Sequence, residues 1–172
     1  MEISTTLCYS NDNIVQIETI FVKTLQERDK MTVYIKYFSN EISKIEKMEK
    51  GDWIDLRSAV HLALKAGEFA YVSLGIGMIL PDGYEAHLAP RSSTYKNFGI
   101  LVPNSPGIID NSYCGEKDEW KLPVLAVRDT EIFVNDRICQ FRLVEKQPVF
   151  VLEETMHLSD DSRGGFGSTG RS

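Results

Sequence analysis

The sequence predicts an all-β fold, a barrel or a sandwich, and three observations carry that reading. Apolar and polar residues alternate with a period of two in several short segments from Thr32 onward. Clusters of Gly, Pro and Asn separate those segments at turn spacing. The chain has 172 residues, 42% of them hydrophobic, enough for one domain with a real core.

Residues 1–30 stand apart from the rest. Ile14, Ile17, Phe21 and Leu25 fall at helical spacing, with Val15 and Val22 beside them. They predict a short amphipathic helix, ended by the polar run QERDK before Met31. The segment reads as an N-terminal extension to a domain that starts at Met31, with a partner-binding helix as the functional alternative. A β-domain then spans 31–158, and residues 159–172 form a C-terminal arm.

Within the β-domain, Val33, Ile35 and Tyr37 alternate with Tyr34, Lys36 and Phe38, which predicts the first strand. DLRSAVHLALKAG (Asp55–Gly67) fits a helix through Leu56, Ala59, Val60 and Ala63, and a strand through Val60, Leu62 and Leu64. Its extended neighbours and the turn at Gly67 decide for extended chain. Val72, Leu74, Ile76, Met78 and Leu80 alternate with Ser73, Gly75 and Gly77 as one half-buried strand. Pro81-Asp82-Gly83 makes a turn, after which Tyr84, Ala86 and Leu88 share a face. Ile108-Ile109-Asp110 followed by Asn111-Ser112-Tyr113 reads as a hairpin, and Asn135-Asp136 as a tight turn. Cys139, Phe141 and Leu143 alternate with Gln140 and Arg142, so Gln140 faces away from the apolar side.

Composition excludes several classes of function. The formal net charge is −6, and no basic stripe marks a nucleic-acid or membrane-surface binder. No apolar run approaches the ~20 residues that cross a bilayer. Glu2 and the lack of a basic N-terminal stretch argue against secretion, so a cytoplasmic location is expected. Cys8, Cys114 and Cys139 lack metal or redox spacing and read as ordinary thiols in a reducing compartment; His61, His87 and His157 show no metal spacing either.

Five short segments carry chemistry. The last, RGGFGSTG (Arg163–Gly170), satisfies G-x-G-x-x-G, but with two residues after it no helix follows, so it is no dinucleotide fingerprint. Its glycines free backbone N–H groups for an anion, Ser168 and Thr169 donate to phosphate oxygens, Arg163 neutralises charge, and Phe166 can cover a base. A floppy tail is the bland alternative. Arg91-Ser92-Ser93, after Pro90 at a strand end, forms a second anion-binding set, with Gly99 supplying a turn. Asp110 beside Ile108 and Ile109 is a candidate general base or a turn-forming Asx residue. Gln140 follows the Asn135-Asp136 turn, and Asp55 opens the first segment.

Taken in order, Asp-Leu-x-x-Ala, Pro-Arg-Ser-Ser, Gly-Ile-Ile-Asp-x-x-Tyr-x-Gly, Asp-Arg-Ile-x-Gln and Arg-Gly-Gly-Phe-Gly-Ser-Thr-Gly resemble the five motifs of the trimeric dUTPase family over about residues 32–172. GDWIDLR, PRSSTYKNFG and RICQF look most like the short dUTPases of bacteriophages and prophages. The resemblance implies a jelly-roll-type β-barrel of the β-clip kind. It implies a homotrimer with a swapped C-terminal arm that closes sites lying between subunits.

It also implies hydrolysis of dUTP to dUMP and pyrophosphate with Mg²⁺, which limits uracil in DNA and supplies dUMP for dTMP synthesis. Asp110 matches the base that activates water for attack on the α-phosphorus. Arg91, Ser92, Ser93 and Gln140 would hold phosphate oxygens, and Asp55 would reach Mg²⁺ through water. Asn104, Gly107 and Ile109 would read uracil, and Tyr113 would exclude a 2′-hydroxyl. Arg163, Phe166, Gly167, Ser168 and Thr169 would close over the nucleotide. Where the fourth motif usually opens with Gly this chain has Asn135, a residue that tolerates positive φ. The alternatives are a dCTP deaminase-like enzyme of the same fold and a nucleotide-sensing module with a regulatory protein partner.

Overall fold

The computed structural model describes residues 31–46 and 50–158. The expected N-terminal helix and the expected C-terminal arm lie outside the described residues. Eleven strands and one short helix make up the described fold: β1 (Tyr34–Tyr37), β2 (Ile54–Arg57), β3 (Leu62–Leu64), β4 (Phe69–Ser73), β5 (Ile76–Ile79), β6 (Tyr84–Pro90), α1 (Thr94–Phe98), β7 (Ile100–Leu101), β8 (Gly107–Ile109), β9 (Lys121–Ala126), β10 (Thr130–Ile132) and β11 (Arg137–Glu145). All described pairings are antiparallel, in four sheets of order β1-β5, β10-β3, β2-β11-β6-β8 and β4-β9-β7. This is the all-β arrangement the alternations predict.

One core joins the sheets. Leu56, Val72, Leu74, Ile76, Leu88, Ile100, Leu122, Val124, Ile132 and Ile138 are buried in it, and Trp120 meets Phe141 edge-on with ring centroids 5.5 Å apart. The period-two pattern decides which side chains enter. In β11, Cys139 and Phe141 point inward and Gln140 and Arg142 outward.

Two expectations need correction, and one element was not anticipated. Val72–Leu80 is two strands rather than one. Val72, Leu74, Ile76, Met78 and Leu80 are buried as expected, but Gly75 takes φ 64° and the chain leaves the β4 sheet for the β1 sheet there. Residues 94–98 form a helical turn, capped by Gly99 at φ 58°, whose N–H donates to the Tyr95 carbonyl. The turn at Gly99 was foreseen and the helix was not, because five residues are too few for helical periodicity to register. Finally, Gly107–Tyr113 is not a hairpin. β8 pairs with β6, and after the Asp110–Tyr113 turn no described strand returns along it.

The Asp55–Gly67 stretch is extended as expected, broken into β2 and β3, with Gly67 at φ 86°. Asn135 adopts φ 73°, the conformation expected where Gly is usual.

A Cβ at Gly75 would stand 2.7 Å from the Ala59 Cβ, whereas one at Gly67 would meet nothing within 4 Å. Both positions carry the positive-φ cost, so the difference isolates crowding. Gly75→Ala is expected to lose about 1–3 kcal/mol more than Gly67→Ala. Urea unfolding at matched protein concentration measures this; equal losses would rule crowding out.

Candidate active site

The four-stranded sheet carries two groups of polar side chains at separate places. The first gathers where β2, β11 and β6 meet. Asp55, Gln140 and Ala89 are direct cross-strand partners and so share the outer face. Asp55 accepts from Arg91 Nε at 2.6 Å and from Arg137 Nη1 at 3.2 Å, one arginine on each carboxylate oxygen. Gln140 donates to the Pro90 carbonyl at 3.1 Å, and Arg91 Nη1 lies 3.4 Å from Ser93 Oγ. Ser92 is exposed on the same loop.

Two features hold this group, and sequence reasoning missed both. The first is a β-bulge. Arg137 pairs with Arg57 but Cys139 pairs with Leu56, so Ile138 is an extra residue. Strict alternation would put residues 137 and 140 on opposite faces. The bulge buries both Ile138 and Cys139 and returns Arg137 to the face of Asp55 and Gln140. The second is Thr94, fully buried, whose hydroxyl accepts from the Arg91 N–H at 2.8 Å and donates to the Ile138 carbonyl at 2.9 Å. It ties the Arg91 loop to the bulge. No one-dimensional pattern signals a bulge; the Thr94 pairing spans 44 residues.

The second group surrounds Asp110, just past β8. β8 is the outermost strand of its sheet, and its far edge pairs with no described strand. That leaves backbone N–H and C=O groups free for another partner. Gly107 and Ile109 lie on this strand, Asn104 is exposed before it, and Tyr113 follows the turn with its hydroxyl 3.3 Å from the Glu119 carbonyl. Ser105-Pro106 is a cis peptide. Asp110 Oδ1 accepts from the Ser112 N–H at 2.8 Å, so the residue forms an Asx turn, with its carboxylate half-exposed. Lys146 Nζ lies 3.2 Å from the other oxygen, Oδ2. The Ser112 backbone and hydroxyl bonds, then Lys146, hold the carboxyl down at about 2. Because its pKa is lowered, Asp110 stays ionised throughout the neutral and mildly acidic range and takes up a proton only as pH falls toward that value.

The two groups do not converge within one chain. On β6, Ala86 stands opposite Ile109 and Pro90 opposite Cys139. Four strand steps correspond to roughly 13 Å. The candidates Arg163, Phe166, Gly167, Ser168 and Thr169 lie outside the described residues.

Among the described residues, no group of three or more His, Cys, Asp or Glu side chains converges as a metal cage. A hydrated Mg²⁺ held mainly by phosphates needs no such cage. Each Asp55 oxygen accepts one arginine bond and keeps a lone pair for a metal-bound water, so the donor set fits that ion. Among these residues no helix is long and apolar enough to cross a membrane.

The dUTPase family model matches residues 42–170. The chain is 54% identical over 140 residues to the SPbeta prophage-derived deoxyuridine 5'-triphosphate nucleotidohydrolase YosS of Bacillus subtilis, covering 81% of this chain and 99% of the relative. It is 38% identical over 122 residues to the deoxyuridine 5'-triphosphate nucleotidohydrolase of Neorickettsia sennetsu, covering 68% of this chain and 80% of that one. Its fold is similar to a Staphylococcus bacteriophage 80alpha dUTPase mutant with dUpNHpp, with TM-score 0.65 and 19% identity over 81% of this chain and 98% of that one. It is also similar to a mutant dUTPase from phage phi11 of S. aureus described with a structural Mg(II) ion, with TM-score 0.64 and 16% identity over 73% of this chain and 97% of that one.

Cys139 sits in the first group without chemistry of its own. Burial above all, and the Asp55 charge after it, push its thiol up out of the reactive range. Peptide mapping after maleimide treatment is expected to find Cys139 unlabelled in the native protein and labelled after denaturation. Rapid native labelling would contradict its burial.

Proposed function

This chain belongs to the dUTPase family, and from that premise we propose that it hydrolyses dUTP to dUMP and pyrophosphate at sites shared between copies of a homotrimer. The observation that carries the reading is the separation of its two groups. An anion-binding cluster and an exposed, ionised carboxylate sit at different places on one sheet, so a nucleotide touching both is best served by two chains. The stretch after β11 supports the same assembly. Val149, Val151, Leu152, Met156 and Leu158 are almost wholly exposed apolar residues that no described residue covers, as suits a segment leading into an arm that lies on a neighbour.

Uracil would pair with the free edge of β8 as a strand would, through the backbone of Gly107 and Ile109, with Asn104 adding a side-chain contact. Close backbone leaves no space for a thymine methyl, and the donor–acceptor order is wrong for cytosine. A site whose buried polar groups stay unpaired with the wrong base rejects it by ~10⁴-fold or more. Tyr113 lies against the sugar. Arg91, Ser92, Ser93, Arg137 and Gln140, facing from the adjoining chain, hold the phosphates and neutralise the pyrophosphate that leaves. Asp55 would hold a bound Mg²⁺ through water, and the ion would supply further positive charge to neutralise the phosphates.

Asp110 orients a water at the α-phosphorus. As the new P–O bond forms and the α–β bridge breaks, the water's proton passes to the Asp110 carboxylate. With its pKa held at about 2, the carboxylate is a weak base. Closure of the arm through Arg163, Phe166, Gly167, Ser168 and Thr169 removes water around it and raises that basicity. A reaction on the nucleotide pool fits a cytoplasmic enzyme.

Asp110→Asn keeps the shape and removes the base. Pyrophosphate release from dUTP is expected to fall ~10²–10⁴-fold in kcat, while calorimetric binding of a non-hydrolysable dUTP analogue persists. Near-normal turnover would remove Asp110 from the mechanism.

A further inference from the structure

We propose that Lys146 is a positioning residue for Asp110, an inference that rests on Asp110 acting as the base. Lys146 is the first residue past β11, and it comes to the β8 turn across 36 positions of sequence, as the difference between 146 and 110 shows. Its backbone N–H donates to the Gly83 carbonyl at 2.9 Å, fixing the main chain against the β5–β6 turn. Its ammonium reaches Asp110 Oδ2 at 3.2 Å and also donates to Asn111 Oδ1. The side chain is about one-third exposed and its partner half-exposed.

The geometry divides the Asp110 carboxylate in a definite way. Oδ1 is held by the Ser112 N–H and Oδ2 by Lys146. Without Lys146 the carboxylate is held from the Ser112 side alone and can rock about its Cβ–Cγ bond. With it, both oxygens are pinned, and the carboxylate keeps a lone pair to meet a water. Asn111, pinned by the same ammonium, keeps the turn from opening. Lys146 thus aims the base without touching substrate. The charged groups facing Asp110 are few. Lys146 is the cation paired with it among the described residues, and Ser112 supplies the remaining contacts. Glu145, next to Lys146, is turned toward the Tyr84 hydroxyl at 3.3 Å.

The sequence gives no hint of this role. Lys146 lies outside all five motifs and reads as a charged residue between a strand and Gln147-Pro148.

The test uses the full chain and two variants, Lys146→Met and Lys146→Arg, beside Asp110→Asn. Steady-state turnover of dUTP and the ¹³C-carboxyl resonance of Asp110 are followed, the latter over the pH range in which the protein stays folded. Asp110→Asn identifies the resonance. Lys146→Met is expected to lower kcat about tenfold with KM unchanged. It should also begin to protonate Asp110 about half a pH unit higher than in the wild type, because a favourable, partly exposed cation has gone. Lys146→Arg should restore most of both. A kcat loss with an unmoved resonance would mean a merely structural role, and an unchanged kcat would mean no positioning role; either overturns the proposal. If instead Asp110→Asn turns over normally, it is the reading of Asp110 as base that fails.

Discussion

The register of one four-stranded sheet is the constraint on which everything else depends. Leu56 and Cys139 form one inward pair, and Ile54, Phe141, Leu88 and Gly107 a second row. A one-residue slip would turn every inward side chain outward. For Leu56, Leu88 and Phe141 together that costs roughly 5–9 kcal/mol of lost burial, comparable to the ~5–15 kcal/mol that separates most folded domains from unfolded ones. The outward rows have no choice once the inward rows are fixed. Asp55 meets Gln140 because Leu56 meets Cys139.

Against that background the bulge at Ile138 is the one departure that matters for chemistry. It sets a second arginine on the carboxylate of Asp55. Two cations on one anion leave the cluster net positive, which suits a polyphosphate better than a structural ion pair would. Thr94 then fixes the loop that carries the first arginine. At the other end of β6, the edge of β8 that pairs with no described strand, and the turn after it, present backbone groups and a charged carboxylate at the margin of the sheet. On the proposed reading, the sheet separates what would bind negative charge from what would read a base and move a proton. The family reading joins the two by bringing copies together.

The sequence made the period-two parts of this fold legible, because side-chain alternation is a local signal. The inward faces of β5, β6 and β11 were readable from Ile76, Met78, Ala86, Leu88, Cys139 and Phe141, as was the outward aim of Gln140. The break at Gly75 was hidden, since the apolar alternation runs through it unbroken and only backbone φ records the change of sheet. α1 was hidden by its length, and the bulge by its lack of any local mark. For the candidate site, Asp55, Arg91, Ser93 and Gln140 were named from motifs and the structure brings them together. Arg137, Thr94 and Lys146 were missed because what each does depends on partners between 36 and 82 positions away. No periodic or motif-based reading reaches long-range contacts of this kind.

The central claim is that one chain's Asp110 works with another chain's arginine cluster. Complementation between inactive variants tests it most directly. Asp110→Asn and Arg91→Ala chains, each inactive alone, are unfolded together, refolded as a mixture and assayed for pyrophosphate release from dUTP. If sites are shared between chains in a closed ring, random mixing creates some sites with both lesions absent, and about a quarter of wild-type activity per chain should return. If each site is built within a single chain, every site keeps one lesion. The mixture would then stay as inactive as its components, and the account would be wrong.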